Sequence, residues 1–244
     1  MRSVLFISLM NGVAWGGSEE LWFQTALYAA RQGYKVGCAF YDWPQKKERI
    51  EQLRNAGCEV YLFSNKGREK RTILQRITYK FTRLNVKRFA QSLPIAQYDM
   101  TVINLGYLEI VSHHWKRFYT FLNRYALLFH VHNENENIKE SRKDLAKRWI
   151  AGASQTLFAS ARTKEFFEKQ LDITLPNAKT LINPLSFEAP QHCQPYPPLH
   201  NGNLLFVMLA TLDVKRKAQD NLIRVLSTDQ WKERPWQLFL YGSG

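Results

Sequence analysis

Cysteine is scarce in this chain. Cys38, Cys58 and Cys193 are the three in 244 residues, far apart and with no C-x-x-C pair. That spacing excludes a zinc module built on paired thiols, and an odd, scattered set fits reduced thiols better than a disulfide framework. Long apolar runs are missing too: no stretch approaches the ~20 apolar residues of a membrane span. The apolar-leaning run Val4–Leu9 is too short for the core of a signal peptide. A cytoplasmic protein is expected. Acidic residues are in deficit, 21 against 34 lysines and arginines, so the formal charge is +13. Such an imbalance points to an anionic partner: a membrane surface, a nucleic acid or a phosphorylated substrate. Apolar side chains are plentiful. At 45% hydrophobic and 14% aromatic, the chain can build a packed core, which excludes disorder. Its length predicts one full domain and part of another.

The positive charge is concentrated. Lys66 to Arg88 holds nine basic residues against one acid, Glu69. Within it Ile73, Ile77, Phe81 and Leu84 form one helical stripe, and Arg76, Lys80, Arg83 and Lys87 form another beside it. Two readings follow. Either the apolar stripe packs into a core and the basic one is solvated, or the helix docks on anionic lipid at the inner face of the membrane.

Short apolar runs alternate with amphipathic stretches. Strands are predicted at Ser3–Leu9, Lys35–Phe40, Glu59–Phe63, Met100–Leu105, Tyr125–Val131, Gln155–Ala159 and Lys179–Ile182. Helices are predicted near Ser18–Gln32, Lys46–Asn55, Ile73–Ser92, Tyr107–Asn123, Ile138–Ala151 and Thr163–Gln170. Gly33 and Gly57 fall just past helix ends, where a left-handed residue is expected. The alternation predicts an α/β fold with a parallel sheet, whose ligand edge is the carboxyl ends of the strands. Residues 1–188 form this first domain. The proline-rich, aperiodic stretch 189–202 is read as a linker, and 203–244 as the opening β-α-β of a second domain.

Several places can carry chemistry. In Trp15-Gly16-Gly17-Ser18-Glu19-Glu20, two glycines allow close backbone approach. Ser18 suits a helix N-cap, and the two acids suit its positive end. The same residues also describe a plain tight turn, and the absence of G-x-G-x-x-G leaves a dehydrogenase-type dinucleotide fold poorly supported. In Phe129-His130-Val131-His132-Asn133-Glu134, His132 falls at a strand's carboxyl edge, as a structural hydrogen-bonder or as a catalytic group. Two histidines without a third ligand make no metal site. Lys215, Arg216 and Lys217 stand at a strand-to-helix junction, and Gly242-Ser243-Gly244 follows the next strand. In a parallel β-α-β unit the two loops lie side by side, so their backbone N–H groups and cations can face a diphosphate.

Taken in order, G-G-S-E after the first strand, a strand-end His-Asn, Asn183-Pro184, Lys217-Ala218-Gln219-Asp220-Asn221-Leu222-Ile223 and Leu240-Tyr241-Gly242-Ser243-Gly244 resemble the retaining family 4 glycosyltransferases of GT-B architecture. The resemblance covers nearly the whole chain and is strongest at Lys217–Ile223 and Trp236–Gly244. It implies two Rossmann-like domains, with the acceptor mainly on the first and a nucleotide-sugar on the second. It implies hexosyl transfer with no metal or other cofactor. Carried over, Gly16 and Gly17 approach the donor phosphates or the acceptor, and His132 lies by the reacting sugar. Lys217, with Arg216 and the Gly242-Ser243-Gly244 backbone, neutralises the departing diphosphate. Arg76, Lys80, Arg83 and Lys87 then serve a lipid-linked acceptor or the membrane.

The sequence departs from that pattern in two ways. Thr211 stands where the family usually has arginine, and the family's donor-binding glutamate pair would fall beyond Gly244. The chain is therefore expected to be a C-terminally truncated fragment, inactive as given. The rival reading is a non-catalytic basic α/β module that binds nucleic acid or an anionic membrane surface. Tyr79, Phe81 and Phe89 offer bases a stacking surface, but no RNA-binding signature accompanies them.

Overall fold

The computed structural model describes residues 2–8, 14–63, 92–105, 122, 124–129, 138–184 and 202–242. The chain divides into two units, Met1–Phe187 and Glu188–Gly244. The first carries seven parallel strands: β1 (Ser3–Ser8), β2 (Lys35–Tyr41), β3 (Glu59–Phe63), β4 (Met100–Leu105), β5 (Tyr125–Phe129), β6 (Gln155–Phe158) and β7 (Ala178–Thr180). Their spatial order is β3-β2-β1-β4-β5-β6-β7. The expected parallel α/β sheet is present.

Alternation along the strands divides the core between the two faces of the sheet. Phe6, Val36, Cys38 and Phe40 meet α1 (Gly17–Arg31) through Trp22, Phe23 and Ala26, and α2 (Lys47–Asn55) through Ile50 and Leu53. Leu5, Ile7, Ile103, Leu127, Phe129 and Phe158 face the other way. They meet Trp149 and Ile150 of α3 (Glu140–Gly152) and Phe167 and Leu171 of α4 (Ala161–Leu171). On the α1 face, a groove of about 700 Å³ beside Leu21 and Trp22 is floored by Val4, Phe6, Val102 and Leu157.

Helix ends follow local chemistry. Gly33 and Gly57 have φ of 77° and 82°, the left-handed conformation expected after α1 and α2. The predicted cap at Ser18 is corrected. Gly16, with extended backbone, is the N-cap of α1 and makes no side-chain cap bond, so the helix starts at Gly17. The real side-chain cap belongs to α4, where Ser160 Oγ accepts from the Thr163 N–H at 3.1 Å. That moves the helix start from the predicted Thr163 to Ala161.

In the second unit β8 (Leu204–Leu209) pairs in parallel with β9 (Trp236–Tyr241). Between them lie α5 (Val214–Lys217), α6 (Gln219–Leu226) and α7 (Asp229–Lys232). α5 and α6 are separated at Ala218. Ala218 adopts φ 58°, ψ 35°, a left-handed pair that an α-helix cannot contain.

Candidate functional site at the strand order reversal

In the first unit β2 pairs with one side of β1 and β4 with the other, so the strand order reverses between β1 and β4. A crevice at the carboxyl ends of the strands is the ligand position that such a reversal creates. The residues in register there are polar, Ser8 opposite Asn104, and both are about 1% exposed. They lie on the α1 face, continuing the Val4, Phe6 and Met100, Val102 alternation.

Glu19, from the first turn of α1, reaches the same point and is fully buried. Its Oε1 accepts from Ser8 Oγ at 2.7 Å, and its Oε2 accepts from the Trp22 indole N–H. Asn104 Nδ2 in turn donates to Ser8 Oγ at 3.3 Å. Lys46, fully buried just before α2, places Nζ 3.9 Å from Glu19 Oε1 and over the rings of Phe40 and Trp15, at 5.0 and 5.7 Å. Burial pushes the Glu19 carboxyl up, opposed by the Lys46 charge and by the Ser8 and Trp22 hydrogen bonds. Burial pushes the Lys46 amine down, opposed by Glu19. Two buried polar atoms here lack a hydrogen-bond partner, Lys46 Nζ and Asn104 Oδ1.

The glycine pair opens the same helix, where the Glu19 N–H donates to the Gly16 carbonyl at 2.9 Å. Trp15 packs edge-on against Phe23 at 5.3 Å and donates its indole N–H to Glu20 Oε2 at 3.0 Å. Arg49 lies over the Trp15 ring at 5.3 Å and 3.6 Å from Glu20 Oε2. The residue before Gly16 is thereby clamped by α1 and α2 together. Asn183, beyond β7, reaches the same place: a Cβ on Gly17 would lie 3.8 Å from its Nδ2. The fold therefore gathers the glycine pair and the Asn183-Pro184 turn, two motifs 166 residues apart, at the amino end of α1.

The second unit presents its own strand-end edge. The Ala210 N–H donates to the Tyr241 carbonyl at 3.0 Å, closing the β8–β9 ladder where both strands end. A Cβ on Gly242 would overlap the Ala210 carbonyl oxygen, so only glycine fits there. Lys217 is exposed, closes α5, and precedes the left-handed Ala218. Gln219 is buried, donating Nε2 to the Thr211 carbonyl at 2.8 Å, which ties the two ends of the loop together. The Arg216 side chain, Ser243, Gly244, His132, and Arg76, Lys80, Arg83 and Lys87 lie outside the described residues.

Sequence reasoning passed over Ser8, Asn104 and Lys46. A polar residue closing an otherwise apolar strand run was the available signal at the first two. Lys46 gave none, since its burial depends on how β2 leads into α2. Glu19 and Glu20 were read as acids suited to the positive end of the helix. In the structure they are buried, with side-chain donors of their own. Among the described residues no group of metal-ligating side chains occurs, and no helix is long and apolar enough to cross a membrane.

No protein-family model and no curated protein matches the sequence. Solved structures do. Anabaena HepE, crystallised with UDP, superposes with a TM-score of 0.54 at 11% identity, over 98% of this chain and 69% of that one. Staphylococcus aureus TarM, crystallised with Fondaparinux, α-GlcNAc-glycerol and UDP, gives 0.51 at 11% identity, over 100% and 78%. Both are GT-B glycosyltransferases. The likeness shows a Rossmann-like α/β fold of the kind found in GT-B glycosyltransferases.

Proposed function

We propose that this chain is a glycosyltransferase that moves a hexosyl unit from a nucleotide-sugar to an acceptor, with retention at the anomeric carbon. One observation carries the reading. A fold like that of two UDP-bound glycosyltransferases places a buried polar cluster and the glycine pair at the first unit's strand reversal. In this reading the donor diphosphate lies along the carboxyl ends of β8 and β9. Gly242, Ser243 and Gly244 offer backbone N–H groups there, and Lys217 and Arg216 supply positive charge. The bond from the anomeric carbon to the diphosphate breaks, and the acceptor oxygen bonds to that carbon. The acceptor proton passes to the departing phosphate oxygen. Charge grows on the diphosphate as it leaves, which is what the lysine meets. His132 stands by the reacting sugar, Gly16 and Gly17 border the donor, and no metal or other cofactor is called for. Arg76, Lys80, Arg83 and Lys87 bring the protein to an anionic membrane surface from the cytoplasm, where a lipid-linked acceptor is met.

Calorimetric titration with UDP, ADP and GDP tests this. One of the three is expected to bind, and Lys217→Ala to weaken it about 10- to 150-fold, the loss of a charge-assisted phosphate contact. No nucleotide binding, or binding indifferent to Lys217, overturns the reading.

A further inference from the structure

The hydrogen bonds of the buried cluster have a fixed direction, and it starts at Glu19. A carboxylate accepts and does not donate, so the Ser8 hydroxyl must spend its proton on Glu19 Oε1. Ser8 Oγ is then the acceptor toward Asn104, so the nitrogen of that amide is the atom that faces Ser8. The orientation of an asparagine amide, ambiguous by shape alone, is here dictated by a charge two hydrogen bonds away. Burial acts most strongly on Glu19 and disfavours its charge; Lys46, 3.9 Å away, and the donors Ser8 and Trp22 oppose it and favour the ionised form that sets the chain running this way. Trp22 donates to the second carboxylate oxygen and Asn104 to Ser8, while Glu20, the other acid of the first turn of α1, is engaged with Trp15 and Gln24.

The consequence is a leftover acceptor. Asn104 Oδ1 is buried and has no partner. It sits at the penultimate residue of β4, beside the strand-order reversal where the fold holds ligands. A buried carbonyl without a donor is destabilising, and native proteins keep such groups rarely. We propose that Asn104 Oδ1 is a ligand-binding group that accepts a hydrogen bond from a hydroxyl of a neutral, sugar-like acceptor substrate. Its polarity selects against a carboxylate or a phosphodiester, which bring only acceptor oxygens. This rests on the glycosyltransferase reading for the identity of the partner, and on the cluster alone for the polarity.

The test is saturation-transfer NMR on the full chain, with and without UDP, using glycerol and the methyl glycosides of glucose, galactose, mannose and N-acetylglucosamine. At least one probe is expected to bind the wild type, and Asn104→Ala to weaken it about fivefold, the worth of one hydrogen bond. Glu19→Gln is the sharper variant. Its side-chain amide can donate to Ser8, which frees the Ser8 proton; the Asn104 amide then turns so that Oδ1 accepts from Ser8 and Nδ2, a donor, takes the ligand position. The variant should therefore bind acetate, which brings only acceptors and which the wild type rejects, with its circular dichroism kept; acetate rejected by both proteins counts against the proposal. UDP binding without any probe signal, or a probe signal indifferent to Asn104, means that a water or a backbone N–H fills the position, and the proposal falls. It also falls if both variants unfold, since the cluster is then structural. An Asn104-dependent probe signal in a protein that binds no nucleotide sustains the proposal and sinks the glycosyltransferase reading.

Discussion

The two units spend their apolar residues differently. Met1–Phe187 places its large side chains in two core clusters, one on each face of a seven-stranded sheet. Among the described residues of Glu188–Gly244, Leu226 is the one apolar side chain that is buried. Leu205, Val207 and Leu209 of β8 share a face with Phe239 and Tyr241 of β9, and all five are exposed, Leu209 at 77%. On the opposite face Phe206 meets the Trp231 ring at 5.7 Å, so one side of the ribbon has a helix against it. A sheet needs apolar cover on both faces to become a rigid platform. The first unit has that cover and keeps a charged, hydrogen-bonded cluster at its ligand edge. The second ends β9 in a turn where only glycine fits, on a ribbon with one bare face.

The difference should be largest in the cores. Phe167 is 1% exposed and packs on Phe129 at 4.7 Å and Phe158 at 5.4 Å, so Phe167→Ala should cost about 3–5 kcal/mol. Phe239 is 42% exposed, and Phe239→Ala should stay within about 0.5 kcal/mol. Urea unfolding followed by far-ultraviolet circular dichroism measures both. Similar costs would mean that β9 is as well packed as the first unit's core.

The buried ion pair ranks next and separates charge from packing. Lys46→Ala leaves the Glu19 carboxylate buried without its cation and should cost about 3–5 kcal/mol. Replacing both, as Glu19→Leu with Lys46→Met, removes the two desolvated charges and should recover most of that loss. If the double variant is as unstable as the single, the pair contributes through shape and not through charge. If it is stable yet loses sugar binding, the cluster is kept for function.

Legibility in the sequence followed the range of the interactions involved. The parallel sheet was readable because each strand is a short apolar run and each intervening helix carries its own periodicity. Gly33 and Gly57 were readable because a left-handed cap is decided within one turn. The cap of α1 was misread because Ser18 is the usual cap type. The structure uses Gly16 instead, where Trp15 is pinned between Glu20 and Arg49. The Ser8–Asn104–Glu19–Lys46 cluster was not readable. It joins residues 96 apart in sequence through strand register, and nothing local to Lys46 announces that its ammonium is buried. The glycine pair and Asn183-Pro184 were both noticed, but that they meet at the amino end of α1 depends on the path of the chain beyond β7.

The smallest effect tests the second unit's turn geometry. Ala218 holds φ 58° between α5 and α6, a conformation in which an L side chain brings its Cβ against the following carbonyl oxygen, at about 1–2 kcal/mol. Its N–H donates to the Val214 carbonyl at 2.9 Å, and its own carbonyl accepts from Asn221 and Leu222 at 3.1 and 3.2 Å, so the residue is tied on both sides. Glycine adopts this conformation freely but has more freedom to lose on folding, which offsets part of the gain. Ala218→Gly should therefore stabilise the second unit by under about 1 kcal/mol net. Amide hydrogen exchange across 204–226 is the readout, with slower exchange in α6 expected and no change in the first unit. Faster exchange would mean that Ala218 leaves the left-handed region in solution and that α5 and α6 run on as a single helix. Lys217 would then sit inside a helix and lose its place at the turn. The donor-side reading of that residue would be lost with it.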